Sequence, residues 1–158
     1  MSTDRIEISL INEASGSPIV GSRQSISPGT KTVLVVEDEP MVRILARHIL
    51  EAIGYNVLEA GSGGEAMEIC QHHEGPIHLL FTDVVMPQMS GPQLSEEVRK
   101  MFPDIGILYM SGYSDNVTDR HGVEEGVPFL QKPFSPDALA LKVSEIFERS
   151  PRAATRIR

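Results

Sequence analysis

The chain contains five short strand-like runs separated by amphipathic segments, and this alternation restricts its fold more than any other feature. The runs occupy residues 33–36, 56–59, 77–82, 105–110 and 127–131. The first, Val-Leu-Val-Val, is rich in β-branched side chains and suits a strand that is buried on both faces. Strands that alternate with amphipathic helices form βα units, which build parallel sheets. We therefore predict an α/β fold with a five-stranded parallel sheet and helices on both faces.

The segments between the runs carry helix signals. Pro40 suits the first turn of a helix, where its missing N–H costs nothing, and Gly54 suits a helix end. The other predicted helices cover residues 64–72, 91–101 and 135–150. The residues that should face the core are Val42, Leu45, Ala46, Ile49, Leu50 and Ile53 in the first helix, Leu94, Val98 and Met101 in the third, and Leu139, Val143, Ile146 and Phe147 in the last.

The length of 158 residues suits one domain with a proper core. Residues 1–30 are rich in Ser, Gly and Pro and are predicted to be a flexible N-terminal segment. The predicted domain covers residues 31–149, and residues 150–158 form a basic C-terminal tail to which we assign no role. Residues 112–126 are polar and glycine-rich, so we expect mobility there and at most a short helix.

Charge and cysteine content narrow the class of protein. The formal net charge of the chain is −8. Residues 1–30 hold three acids and two bases, a net charge of −1, and residues 149–158 hold four arginines, so residues 31–148 carry a net charge of −11. Such an acidic body argues against nucleic acid as the main ligand. Cys70 is the only cysteine, which precludes an intramolecular disulfide. No signal peptide and no run of about 18 apolar residues is present, so we expect a cytoplasmic protein without membrane contact.

Ionisable side chains directly follow three of the predicted strands. They are Glu37 and Asp38 after the first strand, Asp83 after the third and Lys132 after the fifth. In a sheet of order 2-1-3-4-5, ligands bind at the carboxyl ends of the strands where the order reverses, between strands one and three. Clustered carboxylates repel one another without a cation, and oxygen ligands select a hard ion such as Mg²⁺. The sequence therefore predicts a magnesium site with one lysine beside it.

The order and spacing of these residues resemble the receiver domain of two-component response regulators, over about residues 32–148. The motifs are Glu37-Asp38, Thr82-Asp83-Val84-Val85-Met86-Pro87 with Gly91 after it, Ser111-Gly112, and Lys132-Pro133-Phe134. The resemblance implies the flavodoxin-like receiver fold. It is strongest to receivers at the C-terminus of hybrid histidine kinases or to receivers that stand alone.

The resemblance also implies a chemistry. Asp83 would take a phosphoryl group from the phosphohistidine of a histidine kinase or histidine phosphotransfer protein. Asp38, Asp83 and the backbone carbonyl of Val85 would bind Mg²⁺, and Glu37 would orient metal-bound water. Lys132 would pair with Asp83 and then with the phosphoryl oxygens. The protein would catalyse only its own phosphorylation and dephosphorylation and would not be an enzyme in the usual sense.

A conformational switch is implied by two further positions. Ser111 would donate its hydroxyl to the phosphoryl group, and Phe129 would then rotate inward. The surface formed by residues 112–126, the fifth strand and the last helix would bind a downstream protein, or a second copy of the chain. Val85 and Tyr113 border the site and predict slow self-dephosphorylation. The Glu-Asp pair and Ser111 depart from the commoner Asp-Asp and Thr of the family.

Two other classes of protein would place different residues at these positions. A metal-dependent phosphatase with an aspartyl nucleophile usually has a second Asp two residues later, where this chain has Val85. A flavodoxin-type FMN module needs a phosphate cradle after strand one, where Glu37-Asp38-Glu39-Pro40 would repel an anion. The histidines, notably His72, His73 and His78, are predicted to have no metal or relay function.

Overall fold

The computed structural model describes residues 30–112, 123 and 126–149. Within these residues it contains five strands and four helices. They are β1 (Thr32–Val36), α1 (Pro40–Ala52), β2 (Asn56–Ala60), α2 (Gly63–His72), β3 (Leu79–Asp83), α3 (Gly91–Met101), β4 (Gly106–Ser111), β5 (Phe129–Gln131) and α4 (Pro136–Glu148). The predicted N-terminal segment, the basic tail and most of residues 112–126 lie outside the described residues, so the predictions made for them are not addressed by the structure.

All five strands are parallel, and their order is β2-β1-β3-β4-β5. This is the predicted sheet. The chain reverses direction across the sheet after β2, so β1 and β3 are the two central neighbours at the point of reversal. That arrangement opens a crevice at the carboxyl ends of β1 and β3.

The strands separate two apolar layers, because alternate side chains of a strand point to opposite faces. Val33 and Val35 of β1 pack with residues of α1 and α4, whereas Leu34 and Val36 pack with residues of α2 and α3. All four of these β1 side chains are fully buried. Helices therefore cover both faces of the sheet, as predicted.

Several predicted element boundaries and burial assignments were wrong. Strand β3 begins at Leu79 and β5 at Phe129, each two residues later than predicted. In α1 the exposed fraction is 46% for Leu45 and 47% for Ile53, although both were predicted to face the core. The stripe that contacts the sheet is narrower and centres on Ala46, Ile49 and Leu50, while Ile53 lies after the last helical residue. Among the described residues, no helix is both long and apolar enough to cross a membrane.

Candidate functional site

The strand register aligns the carboxyl ends of β1, β3, β4 and β5 along one edge of the sheet. Polar side chains occupy this edge. The residues at or directly after the strand ends are Glu37 and Asp38 for β1, Asp83 for β3, Ser111 for β4 and Lys132 for β5. The predicted site residues thus reach the same edge because each belongs to a neighbouring strand.

Three carboxylates meet at this edge. Glu37, Asp38 and Asp83 each offer one oxygen atom, and these atoms lie within 4.8 Å of one another. Glu37 is fully buried and Asp83 is 5% exposed, whereas Asp38 is open to solvent. The cluster therefore has a buried floor formed by two acids and an exposed third member.

Lys132 closes the cluster on the side of β5. Its Nζ atom donates to Asp83 Oδ2 at 2.9 Å and to Glu37 Oε1 at 3.2 Å, and it lies 3.9 Å from the Glu39 carboxylate. The Lys132 backbone N–H donates to the carbonyl oxygen of Ser111 at 2.7 Å, and the Lys132–Pro133 peptide bond is cis. One ammonium group thus faces several carboxylates, which leaves a net negative charge in the pocket.

Burial and charge shift the pKa values of two of these groups. Burial, together with the nearby charge of Asp83, raises the pKa of Glu37 from 4.5 to about 7, although a hydrogen bond from Glu39 N–H and the interactions with Lys132 oppose the rise. Burial also acts to lower the pKa of Lys132. Its hydrogen bond and charge interaction with Asp83, together with Glu37, outweigh burial and raise the pKa overall. Lys132 is therefore a permanent cation at neutral pH.

Gly91 fixes the loop that follows Asp83. A Cβ atom at Gly91 would clash with the backbone carbonyl oxygen of Asp83, and it would come within 3.1 Å of Val84 Cα. The Gly91 N–H donates to the Val84 carbonyl at 2.8 Å and closes the loop. Only glycine allows this close approach, which explains why the sequence motif has a glycine at position 91.

The loop itself turns two neighbouring side chains in different directions. The Val85 N–H donates to Asp83 Oδ1 at 3.2 Å, and the Val85 side chain is 52% exposed. Met86 is only 7% exposed and packs in the apolar layer under α2 and α3. Gln88 adopts a left-handed backbone conformation with φ of 71° before α3 begins. Val85 is thus the residue of this loop that borders Asp83 and also meets solvent.

Ser111 and Phe129 occupy the opposite end of the site. Ser111 is 4% exposed at the end of β4, where its carbonyl accepts the Lys132 N–H. Phe129 begins β5 opposite Tyr109 and is 47% exposed. Most of the surface predicted to bind a partner, residues 112–126, lies outside the described residues, as does Tyr113. The structure therefore describes Phe129, β5 and α4 but not most of residues 112–126.

Two residues of the site were not assigned any role from the sequence. Glu39 donates its N–H to Glu37 Oε2 at 3.0 Å, and we call residues 37–39 the acidic loop. Arg43 reaches back from α1 and donates from Nη1 to the backbone carbonyl of Glu37 at 2.8 Å. An arginine at the exposed side of a helix gives no sequence signal of such a contact, because the contact depends on how α1 packs against the sheet.

Two of the described histidines contact backbone groups. His72 Nδ1 lies 2.9 Å from the carbonyl of Glu68 at the end of α2, and His78 Nδ1 accepts the Thr32 N–H at 2.9 Å. Among the residues that the structure describes, the group able to hold a metal ion consists of carboxylates alone.

The donor set of the carboxylate cluster fits Mg²⁺. All its ligand atoms are oxygens, which prefer hard cations, and one open side leaves room for water or phosphate oxygens. Burial is the main cause of the raised pKa of Glu37, and repulsion from the nearby Asp83 carboxylate adds to it. A divalent cation would relieve this repulsion.

Comparisons with known proteins agree with the fold. Residues 33–144 match the family model of the response regulator receiver domain. The sensor kinase CckA of Brucella abortus (strain 2308) is 43% identical over 122 residues, which are 77% of this chain and 13% of that kinase. The aerobic respiration control protein ArcA of Escherichia coli (strain K12) is 30% identical over 127 residues, 80% of this chain and 52% of ArcA. The chain thus spans about half or less of these relatives.

Solved structures of receiver domains have the same fold. The receiver domain of the hybrid histidine kinase CckA is 38% identical with a TM-score of 0.60, over 72% of this chain and 96% of that one. A receiver protein from Sinorhizobium medicae WSM419 is 26% identical with a TM-score of 0.68, over 78% of this chain and 98% of that one. The family match covers most of the chain, and the chain therefore belongs to the receiver domains of two-component response regulators.

Proposed function

We propose that this receiver domain accepts a phosphoryl group on Asp83 from a phosphohistidine, with Mg²⁺ as its cofactor. The observation that carries the proposal is the convergence of Glu37, Asp38 and Asp83 within 4.8 Å with the Lys132 amine 2.9 Å from Asp83. The sensor kinase relative supports a histidine kinase, or a histidine phosphotransfer protein, as the donor. A cytoplasmic location stays a prediction.

In the proposed reaction an Asp83 carboxylate oxygen forms a bond to phosphorus, and the bond between phosphorus and the donor imidazole nitrogen breaks. The electron pair of that bond stays on the imidazole, which takes up a proton as it leaves. Asp38, Asp83, the Val85 carbonyl and, through water, Glu37 would hold Mg²⁺. The bound ion would neutralise charge on the phosphoryl oxygens. Catalysis by this chain is then mainly positioning and neutralisation of charge.

Lys132 has two tasks in this proposal. Before the reaction its amine balances part of the charge of Asp83 and Glu37, at 2.9 and 3.2 Å respectively. After the reaction the same amine can bind a phosphoryl oxygen, because a flexible stem lets a lysine follow a charge over a short distance. The position of Lys132 directly after a strand keeps this amine at the site throughout.

We further propose that Ser111 and Phe129 convert the modification into a change of shape. Ser111 would donate its hydroxyl to the phosphoryl group, which draws the loop after β4 toward Asp83. Phe129 is half exposed in the unmodified domain, so an inward rotation would bury apolar surface. The altered surface around β5 and α4 would bind a downstream protein, either as a stand-alone switch or as a phosphorelay intermediate.

Phosphorylation of the purified chain by acetyl phosphate or by a phosphorylated kinase, with and without Mg²⁺, tests the proposal. We expect an acid-stable, base-labile adduct that requires Mg²⁺ and disappears in Asp83→Asn. The matched control is Asp137→Asn, since Asp137 is an exposed acid in the first turn of α4 that does not belong to the carboxylate cluster. An adduct that persists in Asp83→Asn, or is lost equally in both variants, would contradict the proposal.

The alternative, a metal-dependent phosphatase, predicts hydrolysis of added phosphomonoesters. That chemistry needs a general acid near the nucleophile, and the position two residues after Asp83 is occupied by the aliphatic Val85. We propose that the domain acts only on its own aspartyl phosphate. Sustained hydrolysis of a generic phosphomonoester, abolished by Asp83→Asn, would favour the phosphatase instead.

A further inference from the structure

Arg43 connects the acidic loop to a strand that carries none of the site residues. Its Nη1 donates to the backbone carbonyl oxygen of Glu37 at 2.8 Å, and its Nε lies 3.5 Å from Oε1 of Glu59 on β2. The guanidinium group is planar and rigid, so two of its nitrogens can hold two partners in fixed directions. Arg43 therefore transmits the position of β2 to the loop that follows β1.

Glu37 depends on this contact because it is fully buried. A buried backbone carbonyl without a hydrogen bond is costly, and Arg43 supplies the donor. The Glu37 N–H donates to the Ala60 carbonyl at 3.1 Å, and its two carboxylate oxygens accept from Glu39 N–H and Lys132. Arg43 completes the set of contacts that fix this residue.

The consequence reaches Asp38 through the peptide bond. The carbonyl of Glu37 and the N–H of Asp38 belong to one planar peptide group. A fixed carbonyl direction therefore fixes the orientation of this plane and the position of the Asp38 Cα atom. Asp38 is exposed and belongs to the carboxylate cluster. Arg43 thus sets the geometry of Asp38 although it does not belong to the cluster.

The surroundings leave Arg43 little freedom. A Cβ atom at Gly61 would approach Arg43 Nη1 to 3.2 Å, so the absence of a side chain there makes room for the guanidinium. The second oxygen of Glu59 lies 2.6 Å from Arg47 Nε in an ion pair, and Arg47 also pairs with Glu51. Glu59 is therefore held on its other side and offers Arg43 a fixed partner.

We propose that Arg43 is a positioning residue that orients the Glu37–Asp38 peptide for Mg²⁺ binding. The inference rests on the proposed function, since it assumes that the cluster binds Mg²⁺. The inference and a purely electrostatic effect predict opposite changes in Mg²⁺ affinity when Arg43 is replaced. Removing a cation next to an acidic pocket should strengthen Mg²⁺ binding if charge alone mattered, whereas loss of a positioning contact should weaken it.

Isothermal titration with Mg²⁺ alone, on the folded full-length chain, distinguishes the two. We expect Arg43→Gln to weaken Mg²⁺ binding by about tenfold, in the lower range known for residues that orient metal ligands. Arg43→Lys keeps the charge and loses the two-pronged contact, so it should also weaken binding. The matched control is Arg47→Gln, which removes an equal charge and a contact to the same Glu59 without touching the acidic loop; it should bind Mg²⁺ as tightly as wild type or slightly tighter.

Rates of phosphorylation by acetyl phosphate provide a second readout. For Arg43→Gln we expect a higher Mg²⁺ concentration at half-maximal rate, with the maximal rate largely restored at saturating Mg²⁺. Binding as tight as in Arg47→Gln, or tighter than wild type, would overturn the inference while leaving the proposed function intact. Failure of the wild type to bind Mg²⁺ would instead overturn the proposed function. Arg43→Lys carries the test if Arg43→Gln does not fold.

Discussion

The central strands β1 and β3 and the edge strand β5 reach the same site, but they are built differently. Every residue of β1 and β3 is buried, and both strands have a neighbour on each side. Strand β5 has three residues, of which only Leu130 is buried, and it lies at the edge of the described sheet. The carboxylates thus follow the firmly packed strands, and the half-exposed Phe129 lies on the less packed one. This difference suits the proposed switch, in which the carboxylates stay in place while the strand that carries Phe129 changes its packing.

The largest effect should come from removing buried leucines in the two kinds of strand. Leu34 on β1 is fully buried between β2 and β3, and we expect Leu34→Ala to cost about 4 kcal/mol in the free energy of unfolding. Leu130→Ala on β5 should cost about 2 kcal/mol, because the surroundings of an edge strand can collapse into the cavity. Urea unfolding of both variants measures the difference. Equal costs would remove the contrast between the strands.

Two glycines test the contrast in the loops. Gly91→Ala would place a Cβ atom against the backbone carbonyl of Asp83, and we expect it to cost about 2–3 kcal/mol and to slow phosphorylation. A Cβ atom at Gly112, after β4, meets no atom of the described residues within 4 Å, so Gly112→Ala should change stability by about 0.5 kcal/mol or less. Thermal unfolding and acetyl phosphate labelling of both variants check this pair. A tolerated Gly91→Ala would mean that the Asp83 loop is not fixed as described.

Removal of the buried acid should stabilise the metal-free domain. The raised pKa of Glu37, about 7, means that its charged form is disfavoured in the folded state relative to the unfolded chain. The wild type should therefore lose stability as pH rises from the ordinary glutamate pKa toward 7, because the unfolded state binds fewer protons in that range. Above this pH range and in EDTA, we expect the free energy of unfolding of Glu37→Gln to exceed that of the wild type by about 1 kcal/mol. This difference in stability should vanish below the ordinary glutamate pKa. A difference that stays constant with pH would show that the charge of Glu37 is not its cause.

Among the side-chain truncations, the smallest loss of stability is expected at Phe129. Since its side chain is half exposed, Phe129→Ala should cost about 1 kcal/mol or less and leave the rate of Asp83 phosphorylation near that of wild type. Hydrogen exchange in β5 and α4 should respond to beryllofluoride, a phosphoryl mimic, in wild type and respond less in the variant. An unchanged response in Phe129→Ala would show that this side chain takes no part in the switch.

The sequence predicted the sheet and the carboxylate cluster because both depend on local signals. Strand-like runs that end in Asp83 or Lys132 place those residues at one edge as soon as the strands are parallel neighbours. Leu45 was misassigned because periodicity gives the side of a helix and not the width of the buried stripe. Arg43 was missed for a related reason: its partners, the Glu37 carbonyl and Glu59, are set by the packing of α1 against β2, which no spacing in the sequence encodes.

The most direct test is to locate the phosphoryl group after incubation with acetyl phosphate and Mg²⁺. Reduction of the acyl phosphate with borohydride followed by peptide mass spectrometry identifies the modified residue. The account predicts a single Mg²⁺-dependent modification at Asp83. Modification of another side chain, such as Asp38 or a histidine, or equal labelling in EDTA, would contradict it.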